Sequence, residues 1–286
     1  MHVSYAQGTY LVQYCGILAA QRMDVYVPSN SFARPLPVAA YIHGGGWDSG
    51  DKSSGPLLIE VRDELLSREY VVVSLNYRLA TTSTNQWPAQ IHDVKCAIRH
   101  LRAEAGDYGV DGDRVGSWGH GAGGHLTAML GVTDPVLAPE LEGTEYSAWS
   151  SRLQAAVTMG GISDMTEPQA VLEPPHPELK FESQEKAFPE WPGPSDQLDR
   201  ASPIWWTWPD DPPFLIVHGD QDTVVLPAQA ERLEDSLDDA NVDVTLQIVT
   251  NGSHGLGDSG GTASPTKAQL TEQIADFLDM YLRFGT

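Results

Sequence analysis

The stretch DRVGSWGHGAGGHL, Asp113 to Leu126, passes from a strand pattern into a helix pattern through Gly119-His120-Gly121-Ala122-Gly123. Arg114 to Trp118 reads as a buried strand and Ala122 to Leu130 as the helix after it. In a strand-turn-helix unit of the form G-x-S-x-G, the central residue takes a strained backbone conformation that exposes its side chain. The outer glycines let strand and helix approach closely. Here that frame is present with Gly121 at its centre, so the geometry is written and the nucleophile is not.

Outward from this turn, strand-like and helix-like segments alternate. Upstream, Tyr10 to Leu18 and Arg22 to Val27 read as a hairpin, and Val38 to His43 as a buried strand running into Gly44-Gly45-Gly46. Leu57 to Arg68 reads as a helix and Tyr70 to Asn76 as an apolar strand. Pro88 opens a long amphipathic helix, Ala89 to Ala105, with Ile91, Val94, Ile98 and Leu101 at helical spacing. Downstream, Leu153 to Met159, Pro213 to His218 and Val242 to Val249 are strands, and Gln269 to Leu282 is a closing helix. The rhythm predicts an α/β fold, a mostly parallel sheet with helices on both faces, in one domain over residues 1–286. Met165 to Asp211 interrupts it with Pro, Glu and Trp at no sustained period, and residues 165–211 are expected to form a lid. Trp191, Trp205, Trp206 and Trp208 could wall a pocket there, or could simply pack the lid onto the body.

Two further segments fall at the ends of predicted strands, where open α/β sheets place their sites. His43-Gly44-Gly45-Gly46-Trp47 is a glycine-rich turn able to aim the N–H groups of Gly45 and Gly46 at one point. With the N–H of Ala122 it would bind the oxyanion of an acyl-transfer intermediate; a plain tight turn is the alternative. The second segment is the pair of loops carrying Asp222, in HGDQD (His218 to Asp222), and His254, in GSHG (Gly252 to Gly255). Nucleophile, acid, base is the chain order this fold class uses. His254 would serve as the general base, with Asp222 holding its second ring N–H; Asp220 is the rival acid. Trp47, His120, Trp205 and Trp206 are the candidates to line a substrate pocket, with a structural role the alternative for His120. His43, His92 and His125 read as structural, and Asn76-Tyr77-Arg78 with Asp93 as a polar cluster that stabilises loops. Ser117 points off the apex and Ser253 follows no such turn, so neither replaces the missing nucleophile.

The chain has 286 residues with 17 Lys+Arg against 39 Asp+Glu, a formal net charge of −22. That charge excludes a phosphate-backbone binder and disfavours an anionic membrane surface. No run approaches the ~18 apolar residues of a membrane span, and the N-terminus shows no basic leader followed by an apolar core. Cys15 and Cys96 lack metal or redox spacing and read as buried thiols, which points to a cytoplasmic chain. No metal and no cofactor are expected: HExxH, CxxC and P-loop patterns are missing, and the three glycines lack dinucleotide spacing. The expected partner is a small neutral ester or lactone; a homodimer is compatible with the sequence.

Together these segments resemble the bacterial α/β-hydrolase esterases related to hormone-sensitive lipase, nearest the acetylxylan and feruloyl esterases and kynurenine formamidase-like hydrolases. The resemblance runs through most of the chain: MDVYVP (Met23 to Pro28), HGGGW and GDK (His43 to Lys52), NYRLA (Asn76 to Ala80), WPAQIHDVKCAIRHLR (Trp87 to Arg102), DRVGSWGHGAGGHL, ASPI (Ala201 to Ile204), PPFLIVHGDQDTVV (Pro212 to Val225) and SHG (Ser253 to Gly255). It implies Gly45, Gly46 and Ala122 as oxyanion donors, Asp222 as acid and His254 as base. Members of the family read GHSAGGH where this chain reads GHGAGGH.

Three readings of Gly121 follow. The chain is an inactivated variant of a carboxylic-ester hydrolase, acting on a small acyl or aryl ester when its serine is present. Or it is a natural enzyme using His254 and Asp222 for acid–base chemistry such as dehydration, cyclisation, lactone opening or C–C cleavage. Or it is a ligand-binding pseudo-hydrolase, for which a complete acid–base pair has no use. The first is favoured because one substitution restores a full triad.

Overall fold

Strands β3 (Leu36–Ile42), β4 (Val71–Leu75), β6 (Ala155–Met159) and β7 (Phe214–Gly219) are buried at every position, as strands are when helices cover both faces of a sheet. With β1 (Gly8–Gln13), β2 (Arg22–Val27), β5 (Val110–His120) and β8 (Val244–Val249) they form one eight-stranded sheet in the order β1-β2-β4-β3-β5-β6-β7-β8. The two pairings made by β2 are antiparallel, and every pairing from β4 across to β8 is parallel. The computed structural model describes residues 8–16, 20–28, 35–166, 182–190 and 195–284. Leu18, Trp191 and most of the first half of the expected lid lie outside them.

The chain leaves β3 on one side to make β4 and returns on the other to make β5, so the winding reverses between β3 and β5. Loops diverge at such a point and leave a crevice at the carboxyl ends of the strands. Ile42 is opposite Gly119 and His120 opposite Met159, which brings the turns after β3, β5 and β6 out side by side. Helix α4 (Ala122–Val132) is buried throughout and packs hard against them. A Cβ on Gly123 would lie 2.0 Å from the Ile42 carbonyl oxygen, so only glycine permits this approach.

The core divides between the two faces of the sheet. One holds α2 (Ala89–Ala103), the short α3 (Ala105–Tyr108), α4 and α7 (Ala228–Asp239), through side chains such as Val94, Ile98, Tyr108, Met129 and Leu233. On the other, α1 (Leu58–Ser67) and α8 (Lys267–Asp279) bury Val61, Leu65, Leu270 and Ile274. Thr266 starts α8 with a capping box closed by Gln269. Between β6 and β7, the described residues include α5 (Glu182–Ala187), α6 (Asp196–Arg200) and a 3-10 turn at Pro203–Trp205.

The polar side of the amphipathic α2 is covered by protein: Lys95, Arg99 and Arg102 are buried, because the chain from Thr133 to Gln154 lies over them. One expectation changes: Cys15 and Cys96 are not thiols. They form a disulfide, with Cα atoms 6.4 Å apart, joining the end of β1 to α2 across 81 residues of sequence. That separation hides the pairing from any local spacing rule, and the cytoplasmic expectation loses the free thiols it rested on. Among the described residues, no helix is long and apolar enough to cross a membrane.

Candidate active site

Gly121 is the single residue between β5 and α4, with φ 57° and ψ −118°. An L side chain held at such a positive φ is strained, typically by about 1–3 kcal/mol. The turn is fixed from both sides: the Gly121 N–H donates to Met159 O at 2.9 Å, and its carbonyl accepts from His125 N at 2.9 Å. A Cβ built on Gly121 would sit 3.3 Å from His254 Nε2 and 3.8 Å from Cε1. A side chain at this position would therefore point straight at the imidazole.

His254 lies in the loop after β8, folded by Ser253 N–H and Oγ donating to Gly257 O. Its Nδ1 is 2.7 Å from Asp222 Oδ2. Asp222 is 3% exposed, and its Oδ1 accepts from Val224 N at 2.8 Å and Val225 N at 2.9 Å. His218 Nε2 lies 3.3 Å from Oδ2 while donating to Val225 O at 2.8 Å. Burial alone would raise the Asp222 pKa, but the hydrogen bonds from His218, His254 and Val225 more than offset it and hold the carboxyl well below the usual carboxylate range. An ionised Asp222 keeps the His254 proton on Nδ1 and leaves Nε2 with its lone pair toward residue 121. Gly160 makes room beneath: a Cβ there would be 3.3 Å from His254 Nδ1.

His120 meets His254 from its other side. Its Nε2 donates to the His254 carbonyl at 2.7 Å, and the two rings lie 4.5 Å apart. Burial, with the neighbouring His254, pushes its pKa down to about 4, so His120 is neutral at pH 7. It holds the His254 backbone and is buried, where the sequence reading had it lining a pocket.

The turn after β3 carries three successive positive φ values, at Gly45 (110°), Gly46 (59°) and Trp47 (64°). In a planar trans peptide the N–H points opposite to the C=O, so fixing a carbonyl aims the next N–H. The Gly44 carbonyl accepts from His43 Nδ1 at 2.7 Å, which sets the Gly45 N–H. The Gly45 carbonyl accepts from Ser49 N at 3.0 Å and Ser49 Oγ at 2.8 Å, which sets the Gly46 N–H. His43 is itself stacked on Tyr77 at 4.3 Å, and Tyr77 Oη donates to the His43 carbonyl at 3.0 Å. The Asn76-Tyr77-Arg78 segment thus braces this turn, with Arg78 paired to Asp93 at 2.7 Å. Helix α5 rests on it too: Asp48 accepts from Ser183 Oγ at 3.0 Å and Lys186 Nζ at 2.7 Å.

The aromatic candidates divide. Trp47 is 2% exposed; its Nε1 donates to His125 Nδ1 at 3.1 Å and its ring meets Phe188 edge-on, so it belongs to the core and not to a ligand wall. His125 donates from Nε2 to Ala201 O, a structural role. Trp206 packs against the core with Nε1 on Arg200 O, whereas Trp205 is 62% exposed to solvent. Asp222, not Asp220, is brought to His254. Ser117 is buried against Thr127, and Ser253 is turned to Gly257. Sequence reasoning passed over His218 and Ser49; the i, i+4 spacing of His218 and Asp222 was a signal for the first. Among the described residues, no group of three or more His, Cys, Asp or Glu is placed to hold a metal ion.

The BD-FAE family model matches residues 23–237. The chain is 30% identical over 253 residues to Esterase LipQ of Mycobacterium tuberculosis, covering 88% of this chain and 57% of that protein. It is 32% identical over 223 residues to the probable carboxylic ester hydrolase LipM of the same organism, covering 76% and 49%. The chain therefore spans about half the length of these relatives. A solved structure described as a truncated form of carbohydrate esterase from gut microbiota superposes with a TM-score of 0.75 at 27% identity, over 97% of each chain.

Proposed function

This chain belongs to the BD-FAE family and has a carboxylesterase-type hydrolase scaffold, and from that premise we propose that its site is that of a serine-type ester hydrolase inactivated by glycine at residue 121. The observation that carries the reading is the 3.3 Å between a Cβ on Gly121 and His254 Nε2, the place where a serine hydroxyl would meet its base. As it stands, the chain can polarise a carbonyl with the Gly45, Gly46 and Ala122 N–H groups but cannot acylate. Loss of the nucleophile from a triad costs on the order of 10⁶ in turnover, while oxyanion stabilisation and binding leave roughly 10³–10⁴ over water.

With serine at 121, the Oγ adds to the ester carbonyl as its proton passes to His254 Nε2, and the negative oxygen forms between the three N–H groups. The C–O bond to the alcohol then breaks, the alcohol takes the proton from His254, and an acyl-serine remains. Water adds to that acyl group with His254 again taking the proton, and collapse releases the acid and the free hydroxyl. Asp222 stays ionised and holds the imidazole throughout.

The substrate class we assign is a small neutral acyl or aryl ester, since the chain carries −22 and, among the described residues, no Lys or Arg is placed against His254. The lid is assigned to residues 165–211, of which the described helix α5 is tied to Asp48. The Cys15–Cys96 disulfide supports a working environment oxidising enough to keep it. The test is a comparison of this chain with its Gly121→Ser variant on neutral and anionic p-nitrophenyl esters sharing one acyl group. The variant is expected to turn over the neutral esters at least about 10³-fold faster than the parent. A variant silent on every short ester ends the reading, and one that prefers the anionic esters removes the substrate class.

A further inference from the structure

A cavity of about 210 Å³, a volume that about seven waters would fill, lies between α2 and the chain from Pro135 to Trp149. It shares no residue with the site around His254. Arg99 enters it from α2 with its side chain 2% exposed. The guanidinium Nε donates to Glu145 O at 2.9 Å and Nη1 to Glu142 Oε2 at 2.7 Å. The buried Nη2 has no hydrogen-bond partner among the described residues. A guanidinium keeps its protons in proteins, and a buried donor left unmet is costly, so a partner for Nη2 is wanting.

The surroundings favour an anion there. Lys95 and Arg99 are both buried, and among the described residues one carboxylate, Glu142, pairs with both while also accepting from Ser151 Oγ. Burial pushes the pKa of each cation down, with Glu142 opposing it at both, Asp134 at Lys95 and Glu145 at Arg99. Asp134 is already held by Arg152 at 2.9 Å. Nη2 points at Gly143, 3.7 Å from where a Cβ would stand, and this glycine lines both the cavity and a neighbouring one of about 440 Å³ that Glu145 also lines. The remaining walls are Ser147 and three flat, apolar surfaces, those of Pro135, Pro139 and the half-exposed Trp149.

We propose that this cavity binds a small aromatic carboxylate, the carboxylate accepting from Arg99 Nη2 and the ring lying against Trp149 and the two prolines. The inference is independent of the ester-hydrolase reading. The full chain is titrated calorimetrically with benzoate, with benzamide and inorganic phosphate as the ring-only and charge-only probes. Saturable one-to-one binding of benzoate is expected, at least about tenfold tighter than either control. Arg99→Gln should abolish it. Because Arg99 is buried and that variant risks misfolding, Trp149→Ala, at an exposed position, is expected to weaken benzoate several-fold with the thermal transition unchanged. No saturable heat, equal affinity for benzoate and benzamide, or full affinity in Trp149→Ala each overturns the proposal. So does benzoate acting as a competitive inhibitor of ester hydrolysis by Gly121→Ser with no second site, since the ligand then sits at His254.

Discussion

Asp222 and Arg99 are both charged and both almost wholly buried, at 3% and 1% exposure, yet they are compensated to different degrees. Asp222 receives the Val224 and Val225 N–H groups and His254 Nδ1, with His218 close by. Arg99 spends Nε and Nη1 on the protein, while Nη2 has no partner among the described residues. A buried charge that is fully met acts through a neighbour: in the proposed site Asp222 sets the tautomer and orientation of His254, whose side chain is 25% exposed. A buried charge with a donor left over is what the proposed ligand would answer.

The largest expected break in this contrast is Asp222→Asn in the Gly121→Ser background. The amide would hold His254 in the wrong tautomer, so kcat should fall by about 10⁴ with KM little changed. A loss below tenfold by steady-state kinetics would show that His254 does not depend on Asp222. On the α2 side, replacing both Cys15 and Cys96 by Ser removes the covalent tie between the edge hairpin and the helix that carries Arg99. That variant should lose about 2–5 kcal/mol in urea unfolding; an unchanged midpoint would mean that the tie adds nothing.

The smallest effect sharpens the Asp222 side. Its folded pKa is depressed, so its contribution to stability is fully present above the unfolded value of about 3.9 and is lost as pH falls through the folded one. Unfolding free energy should therefore decline between pH 5 and pH 2.5 more steeply in the parent chain than in Asp222→Asn. Equal slopes would show that the carboxyl is not held down in the folded state.

Much of this was legible in the sequence, for reasons that differ by region. β3, β4, β6 and β7 are continuous apolar runs bounded by turn residues, so both strands and order of alternation could be read. β5 begins at Val110, four residues before the expected Arg114, because Asp111 and Asp113 interrupt its apolar pattern where it enters the sheet. The meeting of Asp222 with His254 was readable because each loop follows a strand and carries a residue type that pairs with the other. The disulfide was not, since pairing across 81 residues is a property of the fold alone. Nor was the role of Trp47, whose position beside three glycines suggested a pocket wall while its indole closes the core against His125 and Phe188. The burial of the α2 cations was equally hidden, because helical periodicity places Lys95 and Arg99 beside the apolar stripe but cannot show that the chain from Thr133 to Gln154 covers them.

The central proposal is that His254, Asp222 and the turn after β3 form an esterase site whose position 121 lacks the serine side chain. Intact-mass analysis of Gly121→Ser after brief exposure to p-nitrophenyl acetate tests it most directly. The account predicts one acetyl group per chain, mapped by peptide mass to residue 121 and missing from the parent. Acetylation at another residue, or equal labelling of parent and variant, would contradict it.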